Sequence, residues 1–162
     1  MQIEKYEIRT EIEGLKYFFN SVGKSTIEKV VEYQKLSPYD IIGLGLSPQM
    51  EIYNLAFGDR IAGTNDYSDQ ITSNNGDTDK VLATVADTAF EFWNYFPNAF
   101  ILFQGSNPAH QEGLRTYLYQ RKLERFFEEI SESAHIYGIF KTQLEEFEKG
   151  KKYSGFLIIP KK

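Results

Sequence analysis

The sequence lacks cysteine altogether and contains only two histidines among its 162 residues. The missing cysteines exclude disulfides, thiolate metal sites, CxxC redox chemistry and cysteine nucleophiles. Two histidines also leave few nitrogen ligands for zinc. A cysteine-free chain suits a reducing compartment, so we expect a cytoplasmic protein. Because cysteine and histidine ligands are scarce, we also expect neither a metal nor another cofactor.

Long apolar runs are also missing. The longest, Ala99–Phe103 and Phe156–Pro160, fall far short of the roughly 18–20 residues that cross a bilayer. The first residues do not form the basic start and apolar run of a secretory signal. With 41% hydrophobic and 25% charged residues, the composition is typical of a globular protein. We therefore expect a single domain over residues 1–162, with no membrane association.

Acidic residues outnumber basic ones, which gives a net charge of -5. The excess is uneven along the chain. Residues 1–58 carry -2, residues 59–106 carry -5 and residues 107–162 carry +2. The negative net charge of the whole chain disfavours nucleic-acid binding, but the positive charge of the C-terminal third weakens that argument.

Hydrophobic periodicity predicts the secondary structure. Residues 27–36 fit both a strand and a helix, and we favour a strand because valine, tyrosine and threonine are enriched there. Residues 36–50 are predicted to be a connection, 59–76 a loop with one short strand, and 145–152 a charged turn. The predicted strands are 6–12, 17–21, 27–36, 52–57, 99–104, 135–141 and 153–159, and the predicted helices begin at Asp77 or Thr78 and at Pro108 and end near 96 and 132.

This order, ββββ-α-β-α-ββ, predicts an α+β fold. A run of strands followed by alternating elements is typical of a largely antiparallel sheet with two main helices packed on one face. At the start of the first helix, the side chain of Asp77 or Thr78 is expected to accept a hydrogen bond from a free N–H of the first turn.

Two glycine motifs resemble nucleotide-binding loops but are incomplete. Gly23-Lys24-Ser25-Thr26 matches the end of a phosphate-binding loop, but Phe18 occupies the position of its first glycine. Gly43-Leu44-Gly45 begins like a dinucleotide fingerprint, but Pro48 replaces the third glycine. We interpret the first as a plain turn and reject the second.

The acidic stretch before the first helix offers oxygen ligands of the kind that Ca²⁺ and Mg²⁺ prefer. It lacks the spacing of a calcium loop, and a turn that ends in a helix cap explains the same residues. The candidate ligands are Asp66, Asp69, Asn74, Asn75, Asp77 and Asp79.

The turn after the strand at 99–104 is a candidate anion site. Free N–H groups at the start of a helix can hold a phosphate or a carboxylate, and the alternative is a helix cap by Ser106 or Asn107. The predicted ligand-binding residues are Gly105, Ser106, Asn107, His110 and Arg115.

The helix over residues 108–132 interleaves basic and aromatic side chains, a combination that can bind single-stranded nucleic acid. Glutamates share the helix, so a solvated charged face is the alternative. The predicted nucleic-acid contacts are Tyr117, Arg121, Lys122 and Arg125.

Several strings together resemble an uncharacterised family of small bacterial proteins of unknown function. They are Tyr53–Asp59, Asn74–Asp77 with Lys80–Ala86, Gly105–Ala109, and Lys149-Gly150 with Tyr153 and Phe156-Leu157. The resemblance covers residues 16–160 and implies one compact domain without an established activity. His110 stands where the family pattern has an arginine, which puts a family-wide anion site in doubt for this chain.

The sequence shows no HExxH, GxSxG or recognisable Ser–His–Asp order. We therefore expect a non-catalytic cytoplasmic binding or interaction protein, with a homodimer as one possibility, because tyrosine and phenylalanine are abundant and favoured at interfaces. The alternatives are single-stranded nucleic-acid binding through residues 108–132 and the sheet, and a small anionic-ligand binder or enzyme that uses the turn at 105–110.

Overall fold

The computed structural model describes residues 4–12, 14–61, 63–64, 67–68, 76–103, 131–140, 143–151 and 153–161. The described residues form two compact units. The first comprises residues 1–33 and 56–97, and the second residues 34–55 and 98–162. The prediction of one domain over residues 1–162 stays a prediction.

Unit 1 is built from strands β1 to β3, the end of β4, β5 and helix α2. The strands are β1 (Arg9–Ile12), β2 (Lys16–Val22), β3 (Thr26–Lys35), β4 (Ile52–Arg60) and β5 (Tyr67–Ser68), and α2 is Thr78–Tyr95. Strand β2 pairs antiparallel with both β1 and β3, and β3 is the neighbour of β4. The short strand β5 pairs antiparallel with the end of β4.

A tight turn joins β2 to β3, because Val22 pairs with Thr26 and the N–H of Gly23 donates to the carbonyl of Ser25 at 3.1 Å. The sequence that resembles the end of a phosphate-binding loop is therefore the turn of a hairpin, as predicted. The ambiguous segment 27–36 is a strand, also as predicted.

The core of unit 1 lies between β2, β3 and the buried face of α2. Tyr33 stacks on Phe92 with ring centroids 4.4 Å apart and shares a 2.8 Å hydrogen bond with Thr88. Tyr17 meets Tyr33 edge-on at 6.0 Å. The helix ends before Pro97, because proline disfavours the helical conformation in the residue that precedes it.

Unit 2 contains helix α1 (Pro38–Gly43), the start of β4, and four further strands. These are β6 (Phe100–Phe103), β7 (Ala134–Phe140), β8 (Gln143–Glu146) and β9 (Gly155–Pro160). The strand order is β4-β6-β9-β7-β8. Only the β4–β6 pair is parallel among the pairs described here, and the others are antiparallel.

The predicted class, an α+β fold with a largely antiparallel sheet, is confirmed. Three elements differ from the prediction. The predicted strand 6–12 is a strand only at Arg9–Ile12. Residues 36–50, predicted as a connection, contain α1, which begins because Ser37 accepts a hydrogen bond from the N–H of Asp40 and because proline fits the first helical turn. The predicted charged turn 145–152 begins within β8, whose Leu144 opposes Ile139 of β7. The described residues from 134 to the end therefore form three strands instead of two.

The predicted second helix lies outside the described residues except at its end, where residues 131–133 are helical. No helix in the described part of the chain combines the length and the apolarity needed to cross a membrane.

Candidate functional site

A polar cluster lies where helix α2 begins in unit 1. Asp77 immediately precedes the helix, but its side chain makes no capping hydrogen bond. The prediction that Asp77 caps the helix is therefore wrong. Its Oδ2 instead accepts hydrogen bonds from the hydroxyl of Ser21 at 2.6 Å and from that of Tyr6 at 2.5 Å. The side chain of Thr78, the alternative cap, lies outside the described residues.

The carboxylate of Asp77 bonds to two hydroxyls in place of the helix N–H groups. A capping bond to a backbone N–H is a single hydrogen bond, whereas Asp77 accepts from two hydroxyls on two separate segments. The ionised carboxylate is the acceptor in either arrangement, so the number of bonds, two against one, favours the hydroxyls. The result ties the N-terminal segment, β2 and α2 together at one point.

A buried ion pair lies beside this carboxylate. Lys29 is on β3 and Asp59 is near the end of β4, and their side chains are only 9% and 13% exposed. The ammonium of Lys29 contacts Oδ1 of Asp59 directly and also acts electrostatically on Asp77. We call Tyr6, Ser21, Lys29, Asp59 and Asp77 the Asp77 cluster.

The ionisation of the cluster follows from its contacts. Burial alone would raise the pKa of Asp77, but the hydrogen bonds from Ser21 and Tyr6 and the charge of Lys29 lower that pKa below its usual value of 3.8. Burial, together with the bond to Asp77, raises the pKa of Tyr6 above 10.0. Asp77 is therefore a carboxylate and Tyr6 a neutral phenol at neutral pH.

The chemistry open to this cluster is limited by access. Ser21 is completely buried, and its hydroxyl already donates to Asp77. A nucleophile must touch its substrate and needs a base that takes its proton, whereas this hydroxyl is closed off and its partner is a carboxylate with a lowered pKa. The cluster therefore holds the segments of unit 1 together and is not arranged for nucleophilic catalysis.

A second polar group lies on the opposite face of the same strands. Glu28 accepts from Arg60 at 2.9 Å and from Arg9 at 3.3 Å, and the guanidinium of Arg60 lies 5.8 Å from the centroid of the Phe18 ring. Strand alternation separates Glu28 from Lys29, so the two groups occupy different faces. These charges pair with one another at the surface of unit 1.

Helix α1 in unit 2 presents a different kind of surface. Ile41 anchors the helix in a core with Ile52, Leu102, Ile139 and Leu157. On its outer side, Tyr39 is 85% exposed and Ile42 is 58% exposed. These two side chains are three positions apart and therefore adjacent on the helix surface.

None of the predicted anion-binding and nucleic-acid residues lies within the described part of the chain, and the same holds for most of the predicted metal ligands. The residues concerned are Gly105, Ser106, Asn107, His110, Arg115, Tyr117, Arg121, Lys122 and Arg125, and the metal candidates Asp66, Asp69, Asn74 and Asn75. Asp77 and Asp79 are described, but no group of three or more acidic or histidine side chains suited to a metal occurs among the described residues.

The sequence carries one signal for the Asp77 cluster that lies outside the motifs described above. Lys29 occupies the same register as the apolar residues Ile27, Val31 and Tyr33, so its alternation places a charge on the core face. A lysine in an apolar register needs a buried acidic partner. Nothing in the sequence alone shows that this partner is Asp59, which is 30 residues further along the chain.

The fold and its polar cluster define a small α+β protein without a recognisable catalytic centre among the described residues. A family model described as a family of unknown function (DUF6934) matches residues 2–161, and the chain belongs to that family. The predicted resemblance to an uncharacterised family is thus confirmed. No curated protein and no solved structure matches the chain.

Proposed function

We propose that this protein is a non-catalytic interaction protein that self-associates as a two-fold dimer through α1. The observation that carries the proposal is the outward pair Tyr39 and Ile42, which are 85% and 58% exposed on a firmly anchored helix. Tyrosine and large apolar side chains held on a rigid element are typical anchors of protein interfaces. Single exposed apolar residues are common, but an adjacent aromatic–aliphatic pair is a stronger indication.

The rigidity of α1 supports the proposal. Ser37 caps the helix by accepting from the N–H of Asp40 at 3.1 Å, and Ile41 is 2% exposed. Little conformational entropy is then lost when the outer side chains are covered, and such preorganisation favours binding.

The charges near α1 favour a second copy of this chain as the occupant. Asp40 lies on the helix and Lys35 lies just before its cap, and both are exposed. A two-fold contact places the same patch against itself, so each residue meets its counterpart reciprocally. An acid and a base at the rim can then pair across the interface, with apolar contacts at its centre.

The experiment is multi-angle light scattering after gel filtration, from about 1 to 200 μM protein. We expect the dimer fraction of the wild-type protein to rise with concentration. Tyr39→Ser combined with Ile42→Ser should leave a monomer, because both anchors are lost, while Phe90→Ser serves as the matched control. Phe90 is also an exposed aromatic, at 42%, but lies on α2.

A wild-type protein that stays monomeric over this range would overturn the dimer. Equal loss of the dimer in the Phe90→Ser control would overturn the assignment to α1. Circular dichroism of each variant shows whether it is folded. Within this proposal the protein acts in the cytoplasm, which the absence of cysteine supports.

A further inference from the structure

The segment before β1 crosses α2 without belonging to any strand ladder. Residues 4–8 are extended backbone outside the strands, and they contact the helix at residues 77, 80, 84 and 87. These helix positions are spaced by three, four and three residues, so they form one stripe along the helix surface. We call residues 4–8 the strap.

The outer contacts of the strap are exposed ion pairs. The ammonium of Lys5 lies 3.0 Å from Asp87, with side chains 51% and 33% exposed. The ammonium of Lys80 lies 3.9 Å from Glu4, which is 89% exposed. Because water and salt screen exposed pairs, these contacts hold the strap only weakly.

Tyr6 makes contacts of a different kind, and the ammonium of Lys80 also lies 4.3 Å from the centroid of its ring. The backbone N–H of Tyr6 donates to Oγ1 of Thr84 at 2.8 Å, and its hydroxyl donates to Asp77. The same hydroxyl accepts from the N–H of Val22 at 3.0 Å. Its ring stacks on Phe19 with centroids 5.8 Å apart.

We propose that the strap opens as a unit from α2 while the rest of unit 1 stays folded, with Tyr6 as the latch that closes it. The strap has no strand ladder of its own to break, and its ion pairs add little, so Tyr6 determines whether it stays in place. Opening uncovers the ring of Phe19 and the hydroxyl of Ser21, both of which are fully buried when the strap is closed. This inference goes beyond the proposed function, because none of these residues belongs to α1.

The absence of cysteine from the chain allows a clean test. Ser21→Cys places a single thiol beneath the strap, and Thr88→Cys places one on the buried face of α2. Both native residues are completely buried polar side chains of the same unit. The rate of thiol labelling by an aromatic disulfide reagent under native conditions then reports local opening for the first variant and disruption of the helix packing for the second.

We expect the Ser21→Cys thiol to react at least tenfold faster than the Thr88→Cys thiol. Adding Tyr6→Phe keeps the ring but removes its hydroxyl bonds, and it should speed labelling about tenfold or more at position 21 only. Adding Lys5→Gln should speed it much less, because Lys5 makes an exposed contact.

Amide hydrogen exchange of the unmodified protein gives a second readout that needs no substitution. The amides of Tyr6 and Val22, whose hydrogen bonds depend on the strap, should exchange faster than that of Tyr33, which donates to the carbonyl of Leu15 at 2.8 Å. Equal labelling of the two thiols, or exchange of Tyr6 as slow as that of Tyr33, would show that the strap opens only on global unfolding and would overturn the proposal.

Discussion

The buried ion pair in the Asp77 cluster allows the sharpest prediction. Lys29→Met keeps the length of the side chain and removes its charge. The variant then holds Asp59 in an interior position, 13% exposed, without its cationic partner. It also removes the positive charge that favours the ionised form of Asp77.

The magnitude follows from the burial of both groups. Breaking a buried ion pair by removing one partner costs about 3–5 kcal/mol of unfolding free energy, because the other charge is left uncompensated. Both side chains are at least 87% buried, given exposures of 9% and 13%, so little screening by solvent reduces this cost. We therefore expect Lys29→Met to destabilise unit 1 by about 3–5 kcal/mol near neutral pH.

The double variant Lys29→Met with Asp59→Leu separates the charge effect from packing. Replacing a buried pair by apolar side chains of similar size is often neutral or stabilising, so the second substitution should recover most of the loss. If the double variant is less stable than Lys29→Met alone, packing and not the uncompensated charge explains the loss, and the reasoning fails.

Urea denaturation followed by tryptophan fluorescence measures both variants. The single tryptophan, Trp93, is 7% exposed on α2, so its emission reports the unfolding of unit 1. A loss below about 1 kcal/mol for Lys29→Met would also refute the reasoning, because that is the range of an exposed pair.

Three further predictions concern packing and ionisation. Gly138→Ala should destabilise unit 2 by about 1–3 kcal/mol in urea, because a Cβ at Gly138 would clash with the ring of Tyr153. Phe92→Ala should cost about 3–5 kcal/mol of unfolding free energy, since Phe92 is fully buried, whereas Phe90→Ala, 42% exposed, should cost much less. The folded state lowers the pKa of Asp77, so its carboxylate should contribute fully to the free energy of unfolding well above pH 3.8, and this contribution should be lost as the pH falls below 3.8. Asp77→Asn should therefore reduce the fall of the urea midpoint at acidic pH.

The glycine and phenylalanine predictions each have a control variant in the same chain. Gly43→Ala meets no atom within 4 Å and lies in helix α1, so it should leave stability unchanged or raise it by up to about 1 kcal/mol. A similar loss at Gly43 and Gly138 would contradict the steric explanation. Equal losses for the two phenylalanine variants would contradict the burial argument. An acid limb that is the same in Asp77→Asn and in the wild-type protein would contradict the pKa argument.

Periodicity predicted the strands and the helix that carry the two cores. Alternation over 6–12, 17–21 and 27–36 and the three- and four-residue spacing after Asp77 follow directly from how strands and helices bury one face. The helix was recovered as Thr78–Tyr95 and the strands as β1 to β3, except that β1 begins only at Arg9. These elements were predictable because a single local pattern determines each of them.

The elements that were missed depend on contacts remote in sequence. Helix α1 has only six residues, which is too short for periodicity, and Ile41 is fixed by a core that includes Leu102 and Leu157. Strand β8 is recognisable only because it pairs with β7. Its Glu145 and Glu146 suggest a turn when read without that partner.

The cap of α2 shows how tertiary contacts override a local rule. An aspartate before a helix is expected to bind the free N–H groups of the first turn, and the sequence around Asp77 satisfies that rule. Ser21 lies 56 residues earlier and Tyr6 lies 71 residues earlier, and their hydroxyls take the same carboxylate. Since two hydrogen bonds to the carboxylate outweigh one capping bond to the same acceptor, the helix start is held by the strap and β2.

The choice of Asp77 between the Tyr6 hydroxyl and the helix N–H groups affects how firmly the strap is held. If Asp77 capped the helix, the Tyr6 hydroxyl would lose this carboxylate as an acceptor. The strap would then keep the bond of the Tyr6 N–H to Thr84, the contact of Lys80 with the Tyr6 ring and two exposed ion pairs. Conversely, a strap that opens frees the carboxylate of Asp77 to turn toward the N–H groups of α2, which partly offsets the hydrogen bond lost to Tyr6. The helix start and the strap therefore compete for one carboxylate. For this reason we expect opening of the strap to leave α2 intact.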